Sequence, residues 1–441
     1  MVAASTAKKM SPELLKVMER AKRDPRMRFL SLAHLLDEQA LRRAYDRLRK
    51  GAAVGVDGIT KEQYGQELEC NLRELHGQMR AMRYRHQPIR RVHIPKDKDR
   101  TRPIGISCIA DKVVQGALCD VLEAIYEPVF FDGSYGFRRG LRAHDALRAL
   151  NRVLRDEEVS FILEADIVSF FDSIVRKMLM EMLQERVVDT SFLRLVGKCL
   201  HVGILDGAEF SEPDEGTVQG SSLSPMLGNI FLHHVLDQWF EHDVRPRMRG
   251  RVHLIRYADD FVVTFELEED ARRVAAVLPK RFERYGLSLH PDKTRLLPFA
   301  RPPRDQDEGK GPATFDFLGF THYWRRSRWG RWVTGLKTRT ARLRRAVTAV
   351  ADFCRRQRHK PVKEQHAGLK RRLMGHFNYF GVNGNIRSLV MLVHETQEIW
   401  RKWLRRRSQR TRLTWKRFKE TILRAFPLPS PKIRVQIWAS P

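Results

Sequence analysis

Two adjacent carboxylates, Asp259 and Asp260, lie where the sequence predicts the tip of a β-hairpin. The β-prone segments 251–257 and 261–265 flank Ala258-Asp259-Asp260, which has the composition of a tight turn. Neighbouring carboxylates repel one another, so a fold tolerates them most easily in water or around a cation. By itself, the tetrapeptide Tyr257-Ala258-Asp259-Asp260 is compatible with a solvated acidic turn or with a cation site.

A third carboxylate, Asp166, follows the apolar segment 161–165, which is predicted to be a strand. If this strand pairs with the hairpin, all three carboxylates converge at one edge of the sheet. That arrangement suits two-metal phosphoryl transfer, in which two divalent ions roughly 3.5–4 Å apart activate the attacking hydroxyl and stabilise the leaving oxygens. Oxygen ligands favour Mg2+. We expect Asp166 and Asp259 to bridge two Mg2+ ions, with the backbone carbonyl of Ile167 and the side chain of Asp260 as further ligands and Mn2+ as a substitute metal.

The composition indicates a polyanionic partner. The chain of 441 residues has 82 Lys and Arg against 53 Asp and Glu, a formal net charge of +29, and a pI near 10.4. Nucleic acid is the commonest such partner, and an acidic lipid surface is the weaker alternative. No apolar stretch approaches the ~20 residues that span a bilayer, so we expect a soluble, cytoplasmic protein without a membrane partner. The five cysteines lack zinc spacing, and we expect reduced, mostly buried thiols.

The order of elements around the carboxylates predicts an α+β fold with a mainly antiparallel sheet. A helix is predicted to begin near Ile174, capped by Asp172, and another occupies 274–285 before Gly286. Beyond Phe320 the chain becomes strongly basic, and we expect a helical domain from there to about residue 425. Within its first part, 324–332, we expect the tryptophans to form core while the arginines hold phosphates, with base stacking as the alternative.

Ten segments occur in the same order as in the reverse transcriptases encoded by bacterial group II introns, and the sequence resembles that family over nearly its whole length. The segments are Gly55-Val-Asp-Gly-Ile-Thr60, Arg91-Val-His-Ile-Pro-Lys96, Arg102-Pro-Ile-Gly-Ile106, Ser134-Tyr-Gly-Phe-Arg138, the Asp166 segment, Gln219-Gly220 with Leu223-Ser-Pro225, Tyr257-Ala-Asp-Asp260, Pro291-Asp-Lys-Thr294, Phe317-Leu-Gly-Phe320 and Gly375-His-Phe-Asn-Tyr-Phe-Gly381. The resemblance implies a right-hand polymerase with fingers and an antiparallel palm, followed by an α-helical thumb, also called the maturase domain. It implies these domains: an N-terminal helical extension over 1–50, fingers over 51–160, palm over 161–322, thumb over 323–426 and a short tail over 427–441.

The resemblance also implies roles for individual side chains. Phe171 is similar to the steric gate that excludes a ribose 2′-hydroxyl, and its alternative is a core phenylalanine. The other nucleotide-binding residues implied are Lys96 and Arg102 on the triphosphate, Gln219 beside the sugar and Lys293 near the departing phosphates. Primer or template contacts are implied for Tyr257, Phe317, Leu318, Gly319, Arg325 and Arg328.

Two departures from the family pattern bear on function. The family usually has Pro-Gln-Gly-Gly where this chain has Val218-Gln219-Gly220-Ser221, and the loss of Pro frees the backbone φ angle and restores a donor. Many relatives carry a C-terminal endonuclease, and from the end of the sequence at Pro441 we expect this protein to lack one. If the protein serves a mobile intron, we therefore expect second-strand cleavage to come from elsewhere or to be bypassed.

The expected function is Mg2+-dependent, RNA-directed DNA synthesis together with binding of the parent group II intron RNA and assistance to its splicing and mobility. The expected partners are an RNA template, the intron RNA, a DNA primer or target and dNTPs, with the chain acting as a monomer or homodimer. Three alternatives remain at this point: a related reverse transcriptase serving antiviral defence or CRISPR adaptation, a splicing-only RNA-binding maturase, and a generic basic nucleic-acid-binding protein.

Overall fold

The computed structural model describes residues 10–95, 101–206, 209–211, 216–217, 220–305, 312–407 and 413–438. The chain divides into two compact units. The first consists of 1–142, 165–261 and 272–294, and the second of 143–164, 262–271 and 295–441. No helix among the described residues is long and apolar enough to cross a membrane.

Helices are the main secondary structure of the first unit. They are α1 (Pro12–Arg23), α2 (Glu38–Arg47), α3 (Lys61–Tyr64), α4 (Leu68–Arg80), α5 (Ile109–Tyr126), α7 (Arg176–Gln184), α8 (Thr190–Leu200) and α9 (Ser224–Leu232), the last continuing through π-helical turns to Val244. The Ser11 Oγ accepts from the Leu14 amide at the start of α1, as the Ser-Pro start predicts. Helix α5 is buried almost all round, because apolar residues occupy most of its positions.

A four-stranded sheet in the first unit has the order β2-β1-β4-β5. Its strands are β1 (Ile89–Pro95), β2 (Thr101–Ile106), β4 (Ile204–Asp206) and β5 (Glu209–Ser211). Strands β1 and β2 are antiparallel, with Ile94 opposite Arg102. This sheet therefore positions the basic segments on either side of residue 100.

The central sheet has the order β6-β7-β3-β8. It contains β3 (Phe161–Asp166), the hairpin β6 (Val252–Tyr257) and β7 (Asp260–Phe265), and β8 (Arg295–Pro298), which is antiparallel to β3. The predicted hairpin and its pairing with the Asp166 strand are thus confirmed. Helix α10 (Glu268–Glu283) follows the hairpin, and Gly286 comes after it with φ of +74°.

The predicted capping role of Asp172 is wrong. Residues Phe170–Asp172 form a single 3-10 turn, and α7 begins later, at Arg176, with Val175 at its N-cap and no side-chain cap. The Arg176 Nε donates to the Gly216 carbonyl at 2.8 Å. A tertiary contact therefore fixes the start of this helix where the sequence predicts a local cap.

The second unit begins with α6 (Ala143–Asp156) and includes a three-stranded sheet of order β11-β10-β9. Its strands are β9 (Phe315–Phe317), β10 (Phe320–Arg326) and β11 (Trp332–Thr338). The remaining helices are α11 (Thr340–Gln357), α12 (Val362–Phe380), α13 (Ile386–Arg405) and the short α14 (Trp415–Arg417), which continues as a π-helical turn to Leu423. Buried Trp400 lies in the core that these helices share.

The expectation of a helical domain starting directly after Phe320 is wrong for residues 320–338. They form an antiparallel hairpin in which Phe320 lies opposite Thr338 and Arg326 opposite Trp332. These nineteen residues include four arginines and one lysine, but alternate positions such as His322 and Leu336 are fully buried. A period of two in a basic segment is the mark of a half-buried strand, and the charge pattern obscures it.

Candidate functional site

Asp166 ends β3, and from this residue onward the chain pairs with residues 288–290 of the first unit. Its backbone carbonyl accepts from the His290 amide at 2.8 Å, and the Val168 amide donates to the Ser288 carbonyl at 2.9 Å. These bonds bring the turn 290–294 against Asp166. As a result the Lys293 ammonium donates to the Asp166 carboxylate, and both side chains keep partial solvent access.

The chain direction in the central sheet brings Asp166 and the β6–β7 turn to the same edge. The Ser160 amide, just before β3, donates to the carbonyl of Phe265 at the end of β7 at 2.8 Å. This bond shows that the neighbouring strands β3 and β7 run in opposite directions. The end of β3 therefore lies beside the start of β7. Asp166 is the last residue of β3, and Asp260 is the first of β7.

A fully buried arginine holds the acidic turn. Arg256 donates to Asp237 through Nε at 2.8 Å and through Nη2 at 2.5 Å, and its Nη1 donates to the Ala258 carbonyl at 3.0 Å. Burial by itself would raise the pKa of Asp237, but the Arg256 guanidinium and His233 lower it overall. A charged pair thus anchors the backbone one residue before Asp259, a link that the sequence did not reveal because Asp237 lies in a helical segment far from the turn.

The segment 134–138 lies along the last part of β6 in the first unit. The Tyr135 amide donates to the Arg256 carbonyl at 2.8 Å, and a Cβ on Gly136 would come within 2.9 Å of the Ala258 Cα. Asn229 joins the two segments, because its Nδ2 donates to the Gly136 carbonyl at 2.6 Å while its Oδ1 accepts from Arg256 at 3.1 Å. Only glycine fits at position 136, and the acidic turn is consequently supported from this side as well.

Phe171 is half-buried in the first unit, beside Thr217. Its carbonyl accepts from the Thr217 amide at 2.7 Å, and its ring lies 5.1 Å from the ring of Phe170. A Cβ on Gly228 would approach the Phe171 ring to 3.1 Å. The ring is therefore packed on a glycine of α9 and is only in part a core residue.

Gly220 lies against β2. Its φ is +110°, and a Cβ there would lie 2.9 Å from the Ile104 Cγ2 and 3.2 Å from the Gly105 amide nitrogen. Arg102 occupies β2 opposite Ile94, and only its backbone is described. The predicted nucleotide-binding residues Lys96 and Gln219 lie outside the described residues.

The predicted primer-binding turn 317–319 is held within the second unit by the segment 375–381. The Tyr379 Oη donates to the Leu318 carbonyl at 2.9 Å. Gly319 has φ of +79° and lies so close to Phe380 that a Cβ on this glycine would be 3.5 Å from the ring. Leu318 also has a positive φ, +51°. The turn 317–319 and the segment 375–381 thus pack together, although more than fifty residues separate them in the chain.

The basic hairpin β10–β11 agrees only in part with the expected division between buried tryptophans and exposed arginines. Trp332 is buried and Trp324 half-buried, whereas Trp329 is 71% exposed. The Arg328 guanidinium lies 4.0 Å from the centre of the exposed Trp329 ring, and Arg325 lies 5.3 Å from that of Trp438. Trp329 at the tip of the hairpin therefore offers an exposed aromatic face beside a cation.

Two histidines of the second unit are kept neutral by burial. Burial lowers the pKa of His322 to about 3, and its ring stacks on Phe315 with centroids 4.6 Å apart. Burial lowers the pKa of His376 to about 4. His376 stacks on Phe380 with centroids 4.5 Å apart, and Phe380 lies beside Gly319. His376 therefore contributes to the apolar support of the turn 317–319.

The described residues contain no group of three or more His, Cys, Asp and Glu side chains arranged to hold a metal ion. Mg2+ is usually bound by one or two carboxylates together with water and substrate phosphates. The donor types at this sheet edge fit such an ion, and Asp166 already pairs with a cation, Lys293. The thiols are free as expected: Cys108, Cys199 and Cys354 are buried, while Cys70 is exposed.

Comparison with known proteins agrees with the motifs. Residues 94–322 match the family model described as reverse transcriptase (RNA-dependent DNA polymerase). Protein YkfC of Escherichia coli K12 is 30% identical over 344 residues, which cover 70% of this chain and 86% of the relative.

Two further relatives are longer proteins. The group II intron-encoded protein LtrA of Lactococcus lactis subsp. cremoris is 33% identical over 269 residues, 58% of this chain and 45% of the relative. An uncharacterized 91 kDa protein in the cob intron of Schizosaccharomyces pombe is 33% identical over 209 residues, 47% of this chain and 25% of the relative. The chain spans less than half the length of these two intron-related proteins. The resemblance inferred from the motifs is confirmed: the chain belongs to the reverse transcriptase (RNA-dependent DNA polymerase) family and has a group II intron-encoded protein among its relatives.

Proposed function

We propose that the chain synthesises DNA on an RNA template with Mg2+ as the metal cofactor, and that it binds the RNA of a group II intron. The observation that carries the first part is the meeting of Asp166, its partner Lys293 and the Tyr257–Asp260 turn at one edge of the central sheet. Family membership supplies the reaction type.

The residues at the sheet edge have different roles, which follow from the chemistry of their side chains. Asp166 and Asp259, with Asp260 and the Ile167 carbonyl, would hold Mg2+, which supplies charge neutralisation for the phosphates and lowers the pKa of the attacking hydroxyl. Lys293 places a positive charge beside Asp166, where it stabilises the departing phosphates. Phe171 fills the space of a ribose 2′-hydroxyl and thereby favours deoxynucleotides.

The experiment for the polymerase part is extension of a labelled DNA primer on a defined RNA template by the purified chain. The proposal expects template-directed DNA that requires Mg2+ and ceases when the metal is chelated. A product that forms without the template, or no extension at any Mg2+ concentration, would contradict it.

The intron-binding part rests on the net charge of +29 and on the relatives encoded in introns. The basic helices and hairpin of the second unit offer cations for phosphates, and the 375–381 segment resembles the maturase domain. Such contacts release counterions, so the affinity should fall steeply with salt.

The partner is tested by purifying the chain from its own cells with a high-salt wash and sequencing the RNA that remains bound. One dominant, structured intron RNA is the expected result. A diverse RNA pool, or one short noncoding RNA from a neighbouring gene, would contradict intron binding and leave the polymerase proposal intact.

A further inference from the structure

Phe137 is an exposed aromatic residue in an unfavourable backbone conformation. Its side chain is 50% exposed, and its φ is +57°, in the left-handed region that bulky residues rarely adopt. A ring that is half exposed gains little free energy from burial to offset the cost of a positive φ. Such a residue persists where the surrounding structure over-determines it, and this occurs often at functional sites.

Both neighbours of Phe137 are fixed in the first unit. On one side, the Gly136 carbonyl accepts from buried Asn229 at 2.6 Å. On the other, Arg138 donates to the Glu127 carboxylate at 2.8 Å and to the Ser134 carbonyl at 2.7 Å. The backbone on both sides of Phe137 is therefore held in place, although half of the side chain is in solvent.

The inner half of Phe137 contacts the ring of Phe171. The two centroids are 6.4 Å apart and the planes make an angle of 65°, an edge-to-face contact. Phe170 packs on Phe171 at 5.1 Å with an interplanar angle of 56°, and Gly228 lies close against both Phe170 and Phe171. Three neighbours thus restrict the Phe171 ring, and Phe137 is the one exposed to solvent.

We propose that Phe137 is a positioning residue that fixes the ring of Phe171 and so determines how strongly deoxyribonucleotides are preferred over ribonucleotides. This inference rests on the proposed function, in which Phe171 excludes the 2′-hydroxyl. Exclusion by a ring depends on the ring staying in place, because a ring that can rotate leaves room for the hydroxyl. The contact from Phe137 opposes that rotation.

The test measures kcat/KM for a dNTP and for the matching rNTP on one primer–template, for wild type, Phe137→Leu and Phe137→Tyr. Leu keeps an apolar side chain but lacks the ring edge, whereas Tyr keeps the ring. An edge-to-face pair corresponds to a change of about two- to tenfold. Phe137→Leu should lower the dNTP/rNTP ratio by that factor, chiefly through faster rNTP use, and Phe137→Tyr should retain the wild-type ratio.

Two further variants separate this role from folding and from the gate itself. Phe137→Gly removes the ring and relieves the positive φ, so it should lower the same ratio without lowering the thermal midpoint. Phe171→Ala should lower the ratio more than any Phe137 variant.

The outcomes are distinct. If Phe171→Ala lowers the ratio and Phe137→Leu and Phe137→Gly do not, Phe137 has no positioning role and the proposed function stands. If Phe171→Ala also leaves the ratio unchanged, the gate assignment fails and the inference fails with it. An equal loss of dNTP and rNTP use in Phe137→Leu would likewise overturn the inference, because it indicates a general structural effect.

Discussion

Arg256 and Asp237 form an ion pair whose side chains are both completely buried, with Nε–Oδ1 and Nη2–Oδ2 distances of 2.8 and 2.5 Å. Each charge compensates the other, whereas either charge buried without its partner would strongly destabilise the folded protein. Since Arg256 also donates to the Ala258 carbonyl, the pair connects the core of the first unit with the turn that carries Asp259.

Replacing Arg256 with Met should destabilise the protein strongly, because Asp237 would remain buried without its charge partner. The expected loss is about 3–5 kcal/mol in the free energy of unfolding, measured by urea denaturation. Arg245→Met is the matched control, since Arg245 pairs with Glu241 at the surface and its loss should cost about 0–1 kcal/mol. The double variant Arg256→Met/Asp237→Leu should recover part of the loss; similar stabilities for the single and double variants would contradict this account.

Lys293 is predicted to act in catalysis through its charge at Asp166. Replacing Lys293 with Met should reduce kcat/KM for nucleotide addition by about 100-fold, the usual effect of removing one group that stabilises developing charge. Lys293→Arg should retain more of the activity, and Lys280→Met, at an exposed position of α10, should retain all of it. A Lys293→Met enzyme with the wild-type rate of single-nucleotide addition would show that the contact with Asp166 has no catalytic role.

Tyr379 is predicted to support the turn 317–319 through its hydroxyl. Tyr379→Phe removes the bond to the Leu318 carbonyl, which is worth about 0.5–1.5 kcal/mol net. The Kd for a primer–template duplex should therefore rise by about two- to tenfold, while KM for dNTPs stays unchanged, as measured by fluorescence anisotropy and steady-state kinetics. A change confined to the dNTP KM would argue against a primer-binding role for this turn.

Stability should fall in mild acid because of buried, neutral histidines. Burial lowers the pKa of His322 to about 3 in the folded protein, below its unfolded value near 6.5. Between these values the unfolded chain binds the extra proton, so His322 contributes a stability loss of up to about 1.4 kcal/mol per pH unit as the pH falls below 6.5. Urea unfolding at pH 7 and pH 5 measures this change.

His322→Phe should make the difference between pH 7 and pH 5 smaller, since Phe can keep the stacking on Phe315 and binds no proton. His394→Gln, at an exposed position of α13, should leave the difference unchanged. Equal pH dependence in wild type and His322→Phe would show that His322 is protonated without cost in the folded state.

The sequence predicted the elements in which local pattern and tertiary environment agree. The β6–β7 hairpin has β-prone segments on either side of a turn composition, and its strands occur within one or two residues of the expected positions. The Asp166 strand is short and apolar, and its pairing with the hairpin followed from the chemistry that the carboxylates suggested.

Other features depend on contacts that no local pattern reveals. Asp172 resembles a helix cap, but the bond from Arg176 to Gly216 fixes the helix start instead. Residues 320–338 were predicted to belong to a basic helical domain because their arginines obscure the alternation of buried and exposed positions that is typical of a strand. The support of the 317–319 turn by Tyr379, and of the acidic turn by Arg256 and Asp237, joins segments far apart in the chain.

The central claim is that Asp259 is needed for chemistry and not for RNA binding. The most direct test is single-nucleotide extension of a DNA primer on an RNA template by wild type, Asp259→Ala and the control Glu19→Gln, with RNA affinity measured on the same preparations. The account predicts that Asp259→Ala abolishes extension and binds RNA as wild type does, while Glu19→Gln matches wild type in both. Extension by Asp259→Ala at a rate near that of wild type would contradict the account.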